Sequence, residues 1–187
     1  MHLMQGERVV LRDFLLDDLP ILAGWMQPHH RWHTLDGPYY ADPTLEEIAA
    51  QQVRIRQRIE SGDWPTPRRR AVIADSASSL MLGQVTWSWI SEETHWPEIG
   101  IVIFDEQHWG KGLGYEALSL WGTYLFAQLP QIVRLDLRTW SGNIGMVKLA
   151  LKLGFTQEAC FRKARIVNGA YYDGLEFGVL RDEWVTR

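Results

Sequence analysis

Apolar residues recur along the chain in two rhythms, one strand-like and one helical. Arg8 to Phe14 (RVVLRDF) alternates and is rich in β-branched residues, which predicts a strand. Asp17 then stands as an N-cap, and Leu19, Leu22, Ala23 and Met26 form a helical stripe to about Gln27. Pro28 to Pro43 mixes His, Gly, Pro and aromatic residues without a period. A loop of that length in a compact domain is often functional. Thr44 and Glu47 have capping-box spacing, and a helix follows to about Glu60, with Leu45, Ile48, Val53, Ile55 and Ile59 as a loose stripe before Ser61-Gly62 ends it. Arg70–Asp75, Leu80–Ser91 and Trp96–Phe104 read as three successive antiparallel strands, the first two joined by the turn Ser76 to Ser79.

Beyond Phe104 helices and strands alternate. Gly112 to Gln128 predicts a helix whose apolar side carries Leu113, Ala117, Leu120, Trp121, Tyr124 and Leu125. Ile132–Thr139 reads as a strand, and Asn143–Leu153 as a helix closed by Gly154 in a left-handed C-cap. Phe155–Ile166 and Tyr171–Leu180 flank Asn168-Gly169, a type I′ hairpin signal. The order β-α-α-β-β-β-α-β-α-β-β predicts an α/β fold: a mixed, mostly antiparallel sheet with helices on both faces and a right-handed crossover around Gly112. With 187 residues and no repeat, low-complexity stretch or linker, residues 1–187 are expected to form one domain.

Composition then narrows the partners. With 19 basic and 23 acidic residues the net charge is −4, which gives no electrostatic footprint for nucleic acid. The basic run Arg68-Arg69-Arg70, beside Pro65 and Pro67, reads as a solvated turn, with anion or substrate contact as the alternative. Cys160 is the sole cysteine, so an intrachain disulfide is excluded and a reducing cytoplasm is the natural compartment. Its strand-like flanks suggest a buried structural thiol rather than a nucleophile. No apolar run is long enough to cross a membrane. The ten tryptophans are expected to serve as core and cleft walls, and an exposed Trp-rich face would favour a homodimer.

The candidate chemistry begins at Gly110-Lys111-Gly112-Leu113-Gly114, between a strand and a helix. Closely spaced glycines allow a tight turn that points several N–H groups one way, and the helix start adds partial positive charge; together these make a phosphate cradle. The spacing G-x-G-x-G is not the dinucleotide fingerprint, and the Walker loop is absent. A second block follows, Asn143-Ile144-Gly145-Met146-Val147-Lys148-Leu149-Ala150-Leu151-Lys152-Leu153-Gly154-Phe155.

With that block, and with Trp109-Gly110-Lys111-Gly112-Leu113-Gly114 as the phosphate loop, the chain resembles the GNAT superfamily of N-acetyltransferases. The early Val9-Val10-Leu11-Arg12 and the tail Arg162…Asn168-Gly169…Tyr172-Asp173…Arg181-Asp182-Glu183-Trp184 are similar to the branch that acetylates ribosomal-protein N-terminal alanine and serine. The resemblance implies a GNAT-like fold and acetyl-CoA as the acyl donor. Backbone pairing to the cofactor arm would fall at Val102, Ile103 and Phe104. The diphosphate would sit on the amides of Gly110, Lys111, Gly112, Leu113, Gly114 and Tyr115, and Asn143 would hydrogen-bond the arm. It also implies a fourth and fifth family strand that splay apart. The chain departs from the family pattern at Trp109, where Gln or Arg is usual, at Met146, where a small residue is usual, and at Ala150, where many members carry a Tyr that acts as general acid.

Glu98, just before Ile99-Gly100-Ile101, is the candidate general base; a strand-edge carboxylate paired with an Arg and a direct substrate contact are the alternatives. Ser141 is a candidate proton donor in place of the missing Tyr, or a helix-entry capping hydroxyl. His29, His30 and His33 lack ligand-spaced carboxylate partners except Asp36, so no metal is expected. With Trp25, Trp32, Tyr39 and Tyr40 they are expected to wall the acceptor pocket. The acceptor expected from the branch resemblance is a peptide N-terminus. A small-molecule amine such as a polyamine or aminoglycoside is the alternative, and a non-catalytic acyl-CoA-binding domain is a third reading.

Overall fold

The computed structural model describes residues 1–184. Eight strands form a single sheet in the order β1-β2-β3-β4-β5-β6-β8-β7. They are β1 (His2–Gln5), β2 (Val9–Arg12), β3 (Arg70–Asp75), β4 (Met81–Ser91), β5 (Trp96–Ile103), β6 (Arg134–Trp140), β7 (Thr156–Val167) and β8 (Ala170–Leu180). Four α-helices complete it: α1 (Asp18–Trp25), α2 (Leu45–Ser61), α3 (Leu113–Gln128) and α4 (Ile144–Lys152). Every neighbouring pair is antiparallel except β5 and β6, which run parallel because α3 carries the chain back across the sheet.

Strand alternation divides the core. Val9 and Leu11 of β2, with Ala71 and Ile73 of β3, join the cluster beneath α3 and α4. Val10, Val72 and Ala74 point the other way, into the cluster with Leu19, Leu22, Ile48 and Ile55 of α1 and α2. Both faces are therefore covered, and the short β2 reads as a continuous apolar run because it is buried on both sides.

Local chemistry sets most element ends. Thr44 Oγ1 accepts the Glu47 N–H at 3.2 Å while the Glu47 carboxylate accepts the Thr44 N–H at 2.8 Å, a complete capping box. Gly62, at φ 69°, closes the same helix. In the turn between β7 and β8, Asn168 and Gly169 both have positive φ, 49° and 77°.

Five expectations need correction. A strand precedes the first one expected: β1 pairs with β2. Asp17 makes no side-chain cap; Asp18 is the buried carboxylate, accepting the Leu15 N–H at 2.7 Å and two bonds from the Arg12 guanidinium, at 2.6 and 2.9 Å. In α2, Leu45 and Val53 face solvent, and Ile48 and Ile55 are the buried positions. Cys160 is exposed, its Sγ 3.6 Å from Asp173, because β7 lies at the sheet edge. Arg68-Arg69-Arg70 is not a simple solvated turn: Arg68 pairs with buried Asp13 at 2.7 Å, and Arg69 stacks 3.9 Å over the Trp87 ring.

Candidate active site

β5 and β6 touch through one ladder position, Glu98 opposite Asp136, and part beyond it. Along β5, the Phe104 N–H donates to Leu82 of β4 at 3.0 Å. Alternation in an antiparallel ladder then turns the peptide groups of Val102 and Phe104 toward β4, and those of Ile101 and Ile103 toward the gap. Val102 and Ile103 line the resulting cleft, which has a volume of about 890 Å³. Phe104 does not: it is 1% exposed, with its ring between Trp25 and Trp32 at 5.9 and 5.6 Å. Ile101 does line the cleft, with its main chain facing the opening.

The glycine loop borders this cleft. Gly110 and Gly112 take left-handed φ values of 70° and 83°, and Gly112 is the N-cap of α3. The amides of Leu113 and Gly114 open the helix, so no carbonyl of the same helix reaches them. The loop is braced from β2: Arg8 donates to the Lys111 carbonyl at 2.7 Å and pairs with Glu116 at 3.1 Å. Burial works to raise the Glu116 carboxyl, but the N–H groups of Arg8 and Val9 and the Arg8 side chain outweigh it and hold the pKa below the usual value. Trp109 ties the loop to β5 by donating its indole N–H to the Ile103 carbonyl at 2.8 Å. Tyr115 carries Lys152 over its ring at 4.8 Å, so a cation from α4 stands at the loop.

Across the gap, Asn143 lines the cleft as the N-cap of α4. Its Oδ1 accepts the Met146 N–H at 3.0 Å, and its Nδ2 donates to the Leu35 carbonyl at 3.2 Å. The Trp140 indole donates to the same carbonyl at 2.9 Å, so the long loop after α1 is pinned over the splay. Ser141 stands outside the cleft wall, and its Oγ accepts the Asp173 N–H at 3.0 Å instead of capping the helix. Ala150 is fully buried, packed in the core under the sheet.

Glu98 lies in the cleft at the point where the strands part. Ser88 Oγ is 3.4 Å from one of its oxygens and Arg138 Nε is 3.7 Å from the other. Arg138 is held more closely by Glu176, at 2.9 Å, so Glu98 has only a loose claim on that guanidinium. Two residues on, Gly100 packs closely on β4: a Cβ there would lie 2.9 Å from Thr86 Oγ1. On the roof, burial raises the Asp36 carboxyl above its ordinary value, against the pull of His33. Beneath, burial likewise raises the Asp136 carboxyl, against its hydrogen bond from Arg134 at 2.6 Å.

Of the expected acceptor wall, Trp32, Tyr39 and Tyr40 line the cleft; Trp25, His29, His30 and His33 do not. His29 and His30 edge a separate shallow pocket beside α1. Sequence reasoning does not reach Arg138, Glu176, Arg165 or Asp36 as cleft residues. For Arg138 and Glu176 a signal exists, since both stand on the strands that follow the glycine loop, but it takes the strand order to bring them beside Glu98.

An open strand edge running into a glycine turn at a helix start accommodates a ligand with amides along its length and phosphates at its end. Comparison with known proteins meets this geometry. Over 79 residues the chain is 34% identical to the SPbeta prophage-derived uncharacterized N-acetyltransferase YokL of Bacillus subtilis, covering 42% of this chain and 44% of that protein. It is 24% identical over 184 residues to the uncharacterized N-acetyltransferase p20 of Bacillus licheniformis, covering 98% of this chain and 99% of p20. The fold matches RimL, the ribosomal L7/L12 alpha-N-protein acetyltransferase in complex with coenzyme A, at a TM-score of 0.73 and 20% identity, over 98% of this chain and 99% of RimL. It matches the spermidine N-acetyltransferase of Vibrio cholerae in complex with CoA and spermine at 0.74 and 19%, over 95% and 98%. The family model for the acetyltransferase (GNAT) domain spans residues 8–156, from the arginine that braces the glycine loop to the first residue of β7, and the chain belongs to the GNAT acetyltransferase family.

Proposed function

We propose that the protein moves an acetyl group from acetyl-CoA to a primary amine, with a peptide N-terminus as the acceptor. The observation that carries this reading is the gap between β5 and β6: it opens beside Glu98, runs along the Ile101–Ile103 edge, and ends at the glycine loop. Acetyl-CoA would supply the activated acyl group as a thioester. The amides of Ile101 and Ile103 would orient its arm, the amides from Gly110 to Gly114 its phosphates, and Lys148 and Lys152, both on the cleft wall, would add positive charge.

Glu98 takes the proton from the incoming ammonium. Its loose hold on Arg138 leaves a carboxylate oxygen available to the amine, and its place on the cleft wall lets the amine approach. An α-amino group with a pKa near ~8 is roughly one-tenth neutral at pH 7, whereas a lysine amine near ~10.4 is neutral in about one molecule per few thousand. A carboxylate base therefore suits an N-terminal acceptor better than a lysine side chain. Orientation in the cleft contributes on the order of 7–11 kcal/mol where the fit is good.

The direct test is release of free thiol from acetyl-CoA with a panel of peptide N-termini, polyamines and aminoglycosides. Glu98→Gln is expected to slow release by about tenfold or more; an unchanged rate removes Glu98 from the base role. A working general acid is worth about 10²- to 10⁴-fold, and Ser141→Ala is expected to cost far less, because the hydroxyl stands off the cleft wall.

A further inference from the structure

β7 carries cations, one of them on the cleft wall, that no carboxylate among the described residues neutralises. Within Phe161 to Arg165 of β7, Arg162, Lys163 and Arg165 make no ion pair among the described residues, although the chain as a whole has a net charge of −4. The strand is irregular between Phe161 and Arg165, and Lys163 is left-handed at φ 56°, its N–H donating to Asp173 at 2.8 Å. Such a bulge re-aims the next side chain. Arg165 turns into the cleft, with its guanidinium 4.6 Å from the Tyr39 ring centroid and alongside Gly174. Its Nε is buried without a hydrogen-bond partner, and Nη1 reaches only the neighbouring Ala164 carbonyl, at 3.1 Å. Arg138, the other cleft guanidinium, already has Glu98 and Glu176.

We infer that Arg165 is a specificity-determining contact that selects acceptors carrying a carboxylate close to the reacting amine. This rests on the acetyl-transfer reading above and deepens it. A guanidinium that lines the cleft over an aromatic ring, without an ion pair among the described residues, is placed to receive a planar anion on its terminal nitrogens. Arg162 and Lys163 precede it on the same strand, exposed, and add to the positive field on this side of the molecule. A polyamine would instead meet an unneutralised cation there. Two sources share the chemistry: a peptide beginning with an acidic residue, and a free acidic amino acid.

The test uses the purified full chain with acetyl-CoA and four acceptors: tetrapeptide amides beginning with glutamate, glutamine or lysine, and free glutamate. The glutamate-first peptide is expected to exceed the glutamine-first one in kcat/KM by about tenfold, the worth of one charge-assisted contact, with the lysine-first peptide lowest. Arg165→Gln is expected to raise KM for the acidic acceptor by a similar factor and so to erase the glutamate-over-glutamine preference; Arg165→Lys should recover part of it. A purely structural role for Arg165 would instead lower activity on every acceptor alike, and that outcome overturns the inference. So does equal turnover of the glutamate-first and glutamine-first peptides. Turnover of free glutamate but neither peptide assigns the site to a small molecule and supports the same contact. Thiol release without charge discrimination overturns this inference alone. No release from any acceptor overturns the acetyl-transfer reading as well.

Discussion

Gly112 sits at φ 83°, and a Cβ there would lie 3.0 Å from Arg8 Nη2, the side chain that braces the loop. Gly112→Ala therefore meets two penalties, a left-handed backbone costing roughly 1–2 kcal/mol and displacement of the brace. A loss of about tenfold in CoA affinity is expected by calorimetry, while Gly145→Ala, whose Cβ would meet only Asn143 Oδ1 at 3.8 Å, should bind normally. Asp36 gives a second test at this scale. Burial, opposed by His33, raises its pKa above the ordinary carboxylate value. A carboxyl that binds its proton more tightly in the folded chain contributes stability that is fully present below the unfolded pKa and is lost as pH rises through the folded one. Asp36→Asn removes that loss. The variant should melt higher than the parent at about pH 7 and show no gain at about pH 3. The reverse order would show that the ionised carboxylate is stabilised in place.

Among the elements, α1 depends on a single charged anchor. Arg12 and Asp18 are 3% and 4% exposed in their side chains, and the guanidinium also donates to the Ser79 carbonyl at 2.8 Å, joining β2, α1 and the β3–β4 turn. Removing one partner of such a pair costs about 3–5 kcal/mol. Arg12→Met should lower urea-unfolding stability by that amount, and Arg12→Met with Asp18→Leu should recover much of it. What the sequence discloses of the elements follows how local their causes are. Helix α2 is legible because Thr44, Glu47 and Gly62 write its ends in the chain itself. The turn at Asn168-Gly169 and the glycine loop are legible for the same reason. Strand β1 is not, because His2–Gln5 has no period of its own and is a strand only by pairing with β2. That the Phe104 peptide faces β4 is not legible either, because a strand's reading alone does not say which peptide groups face the neighbour already in place. The acceptor wall is the least legible: the contacts of Tyr39 with Arg165, and of Leu35 with Trp140 and Asn143, join segments far apart in sequence.

At the scale of the whole molecule, the sheet consists of two parts sharing one point. β1 to β5 form a continuous antiparallel ladder, β6 to β8 form another, and between them stand the Glu98–Asp136 position and the packing of α3 and α4 below. A ligand lying along the Ile101–Ile103 edge with its phosphates on the glycine loop would supply the backbone partners that β6 withholds, and so would couple the two parts. CoA at one hundred times its dissociation constant stabilises the folded state by about 2.7 kcal/mol, which for a chain of this size raises the melting temperature by roughly 5–10 °C. ATP and NAD lack the pantetheine arm and so cannot use the strand edge; their shifts should be much smaller. Hydrogen exchange should report the same event locally, with added protection at Ile101 and Ile103 but not at Val102 or Phe104, whose peptide groups are already engaged with β4. Protection of all four residues alike would point to general stiffening, and protection of none would mean that the gap between β5 and β6 is not where the cofactor lies.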